Sequence, residues 1–225
     1  MNNRLEKIAG HIENGKGFID VGTDHGFIPS VLARCGYSGN IYAADLREKP
    51  LESARQTAKR LGVSDKIEFI LCDGLDKCPF DKIDTVIIAG MGGDNICGIL
   101  DRAVGRIGSG TRLILQPMKK AEILRYWLIN NGFSIENEDL ADDAGVVYQI
   151  ITARSGSGQT LKDAELFVGK YELISENPLF GRSLDMQMRR IGKTLKGLTN
   201  TALPQYESKI KLAGLIDSQL TEMKK

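Results

Sequence analysis

The sequence predicts a doubly wound α/β sheet of seven strands, followed by a small all-α hairpin. Three observations carry this. Short apolar runs alternate with segments of helical period from residue 18 to residue 130. Two further strand-like runs close the series without a helix between them. Beyond the Ser/Gly-rich stretch at 155–159 the period is helical only. The expected domains are therefore 1–154 and 155–225.

Residues 3–14 read as a helix with Leu5, Ile8, Ala9 and Ile12 on one face, stopped by Asn14-Gly15. Phe18 to Val21 is short, apolar and partly β-branched, as a strand covered on both faces should be. A turn framed by Gly22 and Gly26 follows, then a helix over 28–36 that opens with Pro29. Asn40 to Asp45 reads as the second strand. The helix over 48–61 carries Leu51, Ala54, Ala58 and Leu61 and is closed by Gly62. Ile67 to Leu71 leads a third strand ending in Cys72-Asp73-Gly74. Ile83 to Ala89 is a fourth, running into Gly90-Met91-Gly92-Gly93.

Asp94 is expected to cap a helix over 95–107 bearing Ile96, Ile99, Leu100 and Val104. Thr111 to Gln116 reads as the fifth strand, stopped by Pro117, and a helix over 119–130 carries Ile123, Leu124, Trp127 and Leu128. Phe133 to Glu136 and Val146 to Thr152 are the closing strands, joined by an acidic loop at 138–145; the pattern leaves their pairing direction open. In the tail, Leu161, Ala164, Val168 and Tyr171 share one face and Asn177-Pro178 breaks the helix. Leu184, Met188, Ile191, Leu195 and Leu198 recur in steps of four and three, the seam of a coiled-coil helix. After Pro204, the stripe Ile210, Ala213, Ile216, Leu220 and Met223 returns as its antiparallel partner.

Composition narrows the function classes. At 42% apolar and 26% charged residues the chain suits a soluble globular protein, and no apolar run approaches the roughly 18 residues of a membrane span. Met1 to Glu6 lacks the apolar core of a signal peptide. Four cysteines without a Cys-x-x-Cys pair and two histidines make a metal site unexpected, and reduced cytoplasmic thiols are the expectation. Residues 1–153 hold 18 Lys/Arg against 21 Asp/Glu, whereas residues 154–225 hold 12 against 8. A mildly acidic body thus carries a basic tail. In the first tail helix Arg182, Arg189, Lys193 and Lys196 fall within about 40° of one line opposite the seam, with Asn200 and no acid on that line. A row without acids favours phosphate contact over a merely solvated face.

In an open α/β sheet a ligand sits where the carboxyl end of a strand meets the next helix. The turn Gly22-Thr23-Asp24-His25-Gly26 lacks the Gly-x-Gly-x-x-Gly fingerprint, and its carboxylate would repel a pyrophosphate. A cationic or zwitterionic ligand suits it better. Asp20 and Asp24 could face the sulfonium and amino groups of S-adenosylmethionine. Asp45, about 20 residues beyond the glycine turn, is where an acid accepts from ribose hydroxyls. Asp73 could accept from an adenine amine. A nucleotide-binding oxidoreductase is the alternative from the turn alone.

Together, Asp20-Val21-Gly22-Thr23-Asp24-His25-Gly26, Ile88-Ala89-Gly90-Met91-Gly92-Gly93 and Leu113-Ile114-Leu115-Gln116-Pro117-Met118 resemble the bacterial tRNA (adenine-22-N1)-methyltransferases. Glu165-Leu166-Phe167 and Asn177-Pro178-Leu179-Phe180 extend the resemblance through the tail. It implies a Rossmann-like class I methyltransferase sheet with a C-terminal coiled-coil hairpin, S-adenosylmethionine as cofactor, and methylation of N1 of an adenine in the tRNA D-arm region. It implies a cofactor site of Asp20, Gly22, Thr23, Gly26, Asp45, Leu46, Asp73, Gly74, Gly90, Met91 and Gly92. The Asn/Asp-Pro-Pro-aromatic motif of many base methyltransferases is absent, which fits a ring nitrogen as the target.

Asp24, His25 and Gln116 are the candidate catalytic residues: Asp24 for electrostatic support, His25 to stack on or orient the base, Gln116 to hold the adenine edge. For each, a structural role at a helix start or strand end stands beside the catalytic one. Arg182, Arg189, Arg190, Lys193 and Lys196 are the candidate tRNA contacts. No metal and no membrane are expected as partners, and a monomer or weak homodimer is the expected state. Two rivals remain beside the oxidoreductase: a methyltransferase of small molecules or protein whose hairpin serves oligomerisation, and a non-catalytic RNA-binding module.

Overall fold

The computed structural model describes residues 2–156, 159–199 and 207–224. The chain divides into two units, Met1–Gln159 and Thr160–Lys225. The division falls after Gln159 rather than after Arg154 because Gln159 is tied back to the first unit. Its side chain accepts from the Ile135 N–H at 2.7 Å and donates to the Ile135 carbonyl at 3.1 Å. Of the expected linker, Ser157 and Gly158 lie outside the described residues.

In the first unit seven strands form one sheet: β1 (Gly17–Val21), β2 (Asn40–Asp45), β3 (Glu68–Leu71), β4 (Thr85–Gly92), β5 (Arg112–Lys119), β6 (Phe133–Asp143) and β7 (Val146–Ser155). Their order is β3-β2-β1-β4-β5-β7-β6. The first five are parallel, and β7 runs antiparallel to both β5 and β6. The helices are α1 (Asn3–Gly10), α2 (Phe27–Arg34), α3 (Glu48–Leu61), α4 (Gly93–Ala103) and α5 (Ala121–Asn130). The chain steps outward from β1 to β3, then returns to β4 beside β1 and steps the other way. Right-handed crossovers in opposite directions send α2 and α3 to one face and α4 to the other. Accordingly α2 packs on α3, and α4 on α5. Every residue of β1 is buried, and Phe18, Ala43, Ile87 and Ile114 join the core from four adjacent strands.

Several elements differ from the sequence expectation. Pro117 does not stop β5; it lies within the strand at an irregularity, opposite Met91, where the regular ladder is already broken. Asp94 is not the cap of α4. The strand runs through Gly92 and the helix starts at once, leaving Asp94 in its first turn, where its carboxylate accepts from Lys120 at 2.6 Å. The acidic stretch 138–145 is mostly strand. It pairs with β7 down to Asp143, opposite Val146, and only Ala144-Gly145 make the turn. Its acids stay in the sheet because they answer cations and amides of α1 and α5. Helix α1 is shorter than expected and ends at Gly10.

In the second unit the apolar segment before Asn177 is two short helices rather than one. These are α6 (Asp163–Val168) and α7 (Tyr171–Ile174), parted by Gly169 at φ 105°. Tyr171 is consequently exposed rather than part of one buried face. Helices α8 (Phe180–Thr199) and α9 (Glu207–Met223) pack together. Leu184 and Ile191 are buried from one side and Ala213, Ile216 and Leu220 from the other. Lys224, just past the end of α9, reaches Asp185 near the start of α8 at 2.6 Å, so the pair is antiparallel. The side chains of Leu198 and Ile210, and the whole of Asn200 and Pro204, lie outside the described residues.

Candidate active site

Strand β1 ends at Val21 and the chain turns immediately. The N–H groups of Gly22 and Thr23 both donate to the Ala44 carbonyl, at 2.8 and 3.1 Å, which closes the turn against β2. Gly22 sits at φ 73°, and a Cβ there would overlap Met91 Cε. Glycine alone meets both demands without strain. The Asp20 carboxylate is buried behind this turn and accepts from the Thr23 hydroxyl at 2.7 Å. Burial pushes its pKa up from 3.8 to about 6; the Thr23 hydrogen bond opposes this and the Asp45 charge adds to it.

A cleft of about 630 Å³ opens at the carboxyl ends of β1, β2, β3 and β4. Asp45 and Leu46 stand after β2, Asp73 and Gly74 after β3, and Gly90 and Met91 at the end of β4; Ile99 and Arg102 of α4 face them. Asp45 Oδ1 accepts the Arg47 N–H at 2.9 Å, and Asp73 Oδ1 accepts from Arg102 Nη2 at 2.8 Å. Leu46 is 62% exposed, an apolar side chain at the cleft wall with nothing of the protein covering it. Two acids at strand ends, an apolar flank and a glycine turn suit a nucleoside with hydroxyl and amine donors.

A second cavity of about 340 Å³ adjoins the first, and Gly22, Asp24, Ala89 and Gly90 line both. Its other walls include Asp20, Thr23, His25, Phe27, Arg4 and Met118. Asp24 adopts φ 49°, which turns its exposed side chain outward, 3.6 Å from His25 Nε2. The His25 and Phe27 rings lie 5.6 Å apart at the rim. Exposed ring faces beside a carboxylate can receive a planar base on which positive charge develops.

The three acids read from the sequence therefore divide between two adjoining cavities: Asp45 and Asp73 in the larger, Asp20 in the smaller. Gly26 lines neither. It is the N-cap of α2, and a Cβ on it would meet Ala54 Cβ at 2.7 Å, so it allows α2 and α3 to approach. Gly92 likewise serves the strand-to-helix junction.

Gln116 has a different use from the expected grip on a base. It is fully buried, and its Oε1 accepts from Gly90 N–H at 3.1 Å and from Arg4 Nη1 at 2.5 Å while its Nε2 donates to the Pro117 carbonyl at 3.0 Å. It holds the Gly90 turn and Arg4 in place. Arg182, Arg189, Arg190, Lys193 and Lys196 are all exposed on α8. Arg190 also lies 5.6 Å over the Phe167 ring.

Sequence reasoning missed Arg4, Phe27, Met118, Arg47 and Arg102 as wall residues. The one available signal was Met118, inside the Gln116-Pro117-Met118 run. Arg4 has no local signal, because its partners Gln116 and Tyr148 are more than a hundred residues away.

The pattern of a family described as "Methyltransferase domain" matches residues 1–151. A tRNA (adenine(22)-N(1))-methyltransferase of Bacillus subtilis is 26% identical over 222 residues, covering 96% of this chain and 93% of its own. The crystal structure of the B. subtilis M1A22 tRNA methyltransferase TrmK superposes with a TM-score of 0.89 at 25% identity, covering 100% of this chain and 99% of that one. A putative tRNA (m1A22) methyltransferase of Streptococcus pneumoniae, in complex with S-adenosyl-L-methionine, gives 0.85 at 27% identity with both chains covered fully (100% each).

Proposed function

The chain belongs to the methyltransferase-domain family, and from that premise we propose that it methylates N1 of an adenine in tRNA, at position 22 of the D-arm region, using S-adenosylmethionine. The observation that carries the reading is the pair of cavities meeting at Gly22, Asp24, Ala89 and Gly90. One is fitted to a nucleoside and the other opens beside it with ring faces at its rim. Likeness to the tRNA methyltransferases over the full chain, helical unit included, supports tRNA over a small molecule. So does the row of exposed cations on α8. Such a substrate puts the protein in the cytoplasm; among the described residues no helix is long and apolar enough to cross a membrane.

The cofactor supplies, when bound, an electrophilic methyl group on a sulfonium. Asp45 would accept from its ribose hydroxyls, Asp73 from its adenine amine, and Asp20 would face the cationic methionine end, with Leu46, Ile99 and Met91 giving the apolar contacts. Gly22 and Gly90 leave the junction clear of side chains. N1 of adenine has an in-plane lone pair and no proton to lose, so no general base is required. The work of the protein is alignment and electrostatics. The Asp24 carboxylate offsets the positive charge that grows on the ring, a contribution that in comparable sites is worth about 10²- to 10³-fold in rate. His25 and Phe27 supply faces against which a flipped-out base can rest.

Nucleoside mass spectrometry of unmodified tRNA before and after incubation with the protein and cofactor tests this. New N1-methyladenosine in the D-arm region is the expected result. Methyl elsewhere, or preferential binding of NAD over S-adenosylmethionine, would refute it.

A further inference from the structure

We propose that Arg4 binds the phosphate of the target nucleotide, so that α1 forms the wall of the substrate cavity that recognises the flipped nucleotide by its backbone charge. This rests on the methylation reading above and adds to it a residue that no motif in the sequence marks.

Helix α1 is held to the sheet by side chains at the far end of β6. Asn2 donates to Asp143 at 2.6 Å, Asn3 to the Asp142 carbonyl at 2.8 Å, and Lys7 pairs with Asp139 at 3.0 Å, with His11 Nε2 3.4 Å from the same carboxylate. The Asp139 carboxyl is pulled up by burial, but hydrogen bonds from His11 and Lys7 outweigh this and hold it below the ordinary range. The fixture delivers Arg4 to the cavity.

The guanidinium is then oriented from two sides by neutral groups. Nη1 donates to the buried Gln116, and the Tyr148 ring lies 5.6 Å from Cζ. Nη1 also passes 3.9 Å from where a Cβ on Gly90 would stand, so Arg4 leans over the junction of the two cavities. Among the described residues no carboxylate pairs with Arg4, whereas Arg102 and Arg125 each have one. A guanidinium has five N–H donors, and here one is used. An oriented, half-buried cation with unspent donors, lining a cavity, calls for an anionic ligand.

The charge distribution selects which part of the nucleotide that is. The ring becomes cationic on methylation and belongs near Asp24; a guanidinium against it would oppose the reaction. The phosphate is the only anionic part of the nucleotide.

The test uses the full-length protein and tRNA carrying a neutral methylphosphonate at one or the other linkage flanking the target adenosine. Wild-type protein should lose about 10- to 100-fold in kcat/KM at one of the two linkages, as expected for a hydrogen bond to a charged group. Arg4→Gln should lose as much on ordinary tRNA and nothing further on the modified one. Arg4→Lys should recover part of the loss, and both variants should keep the wild-type cofactor Kd and melting temperature. A methylphosphonate penalty undiminished in Arg4→Gln would overturn the proposal, as would wild-type kcat/KM in that variant. Absence of transfer by the wild-type protein to ordinary tRNA would instead overturn the methylation reading, and this assignment with it.

Discussion

Replacing Asp20 by Asn should make the ligand-free protein more stable at neutral pH while removing its grip on the cofactor. The carboxyl is fully enclosed, and burial, opposed by the Thr23 hydrogen bond, carries its pKa from 3.8 to about 6. The folded protein therefore holds the proton over a range in which the unfolded chain has released it. Stability falls as pH rises from about 4 to about 6 and then levels off, lower by about 3 kcal/mol. An amide carries no charge to bury and keeps an oxygen for the Thr23 hydroxyl. Asp20→Asn should thus unfold several degrees above the wild type at pH 8 and match it near pH 4. A bound cation reverses the balance, since it favours the ionised carboxylate. Wild-type affinity for S-adenosylmethionine should drop about tenfold per pH step below 6, and the variant's should be weak and flat. Thermal unfolding across pH 4–8 and titration calorimetry read both halves. A variant that melts below the wild type at pH 8, or wild-type binding that is the same at pH 5 and pH 7.5, would refute the reasoning.

Other perturbations probe separate parts of the molecule. Arg125 and Glu138 form an ion pair at 2.6 Å in which each side chain is 1% exposed, with Gln149 as a further partner of Arg125 at 3.1 Å. Glu138→Gln should cost about 3–5 kcal/mol in urea unfolding because it strands a buried cation, whereas Arg125→Met combined with Glu138→Leu should be close to neutral. Arg189→Glu with Lys193→Glu should weaken tRNA binding and flatten its dependence on salt by about 0.7–0.9 per lost phosphate contact, leaving cofactor affinity unchanged; an unaltered salt slope would give the hairpin another role. Gln116→Ala removes the acceptor of both Gly90 and Arg4. It should lower stability by about 1–3 kcal/mol and reduce kcat/KM for tRNA, measured beside a cofactor titration.

What could be read from the sequence follows from how local the determinants are. Strand β2 and helix α3 come out at Asn40–Asp45 and Glu48–Leu61, as expected, because strict period and the left-handed Gly62 at φ 70° fix them within a few residues. The positions of Asp45 and Asp73 at strand ends are legible for the same reason. Pro117 misled because the irregularity that accommodates it depends on the neighbouring strand. The 138–145 stretch misled because acids are read as solvated, and nothing nearby shows that Asp139 meets Lys7 or that Glu138 meets Arg125. Gln116 was singled out correctly as unusual, but its partner Arg4 is 112 positions away, beyond the reach of any spacing argument.

The attachment of α1 separates two properties that are usually lost together. Only Ile8 of this helix is fully enclosed, and the remaining ties are polar ones to the rim of a hairpin strand. Limited proteolysis that trims the opening dozen residues would leave a folded sheet with its larger cleft intact, yet strip one side from the smaller. Such a clipped protein should still retain S-adenosylmethionine on a filter and methylate nothing, and extra residues fused ahead of Met1 would press on that same wall.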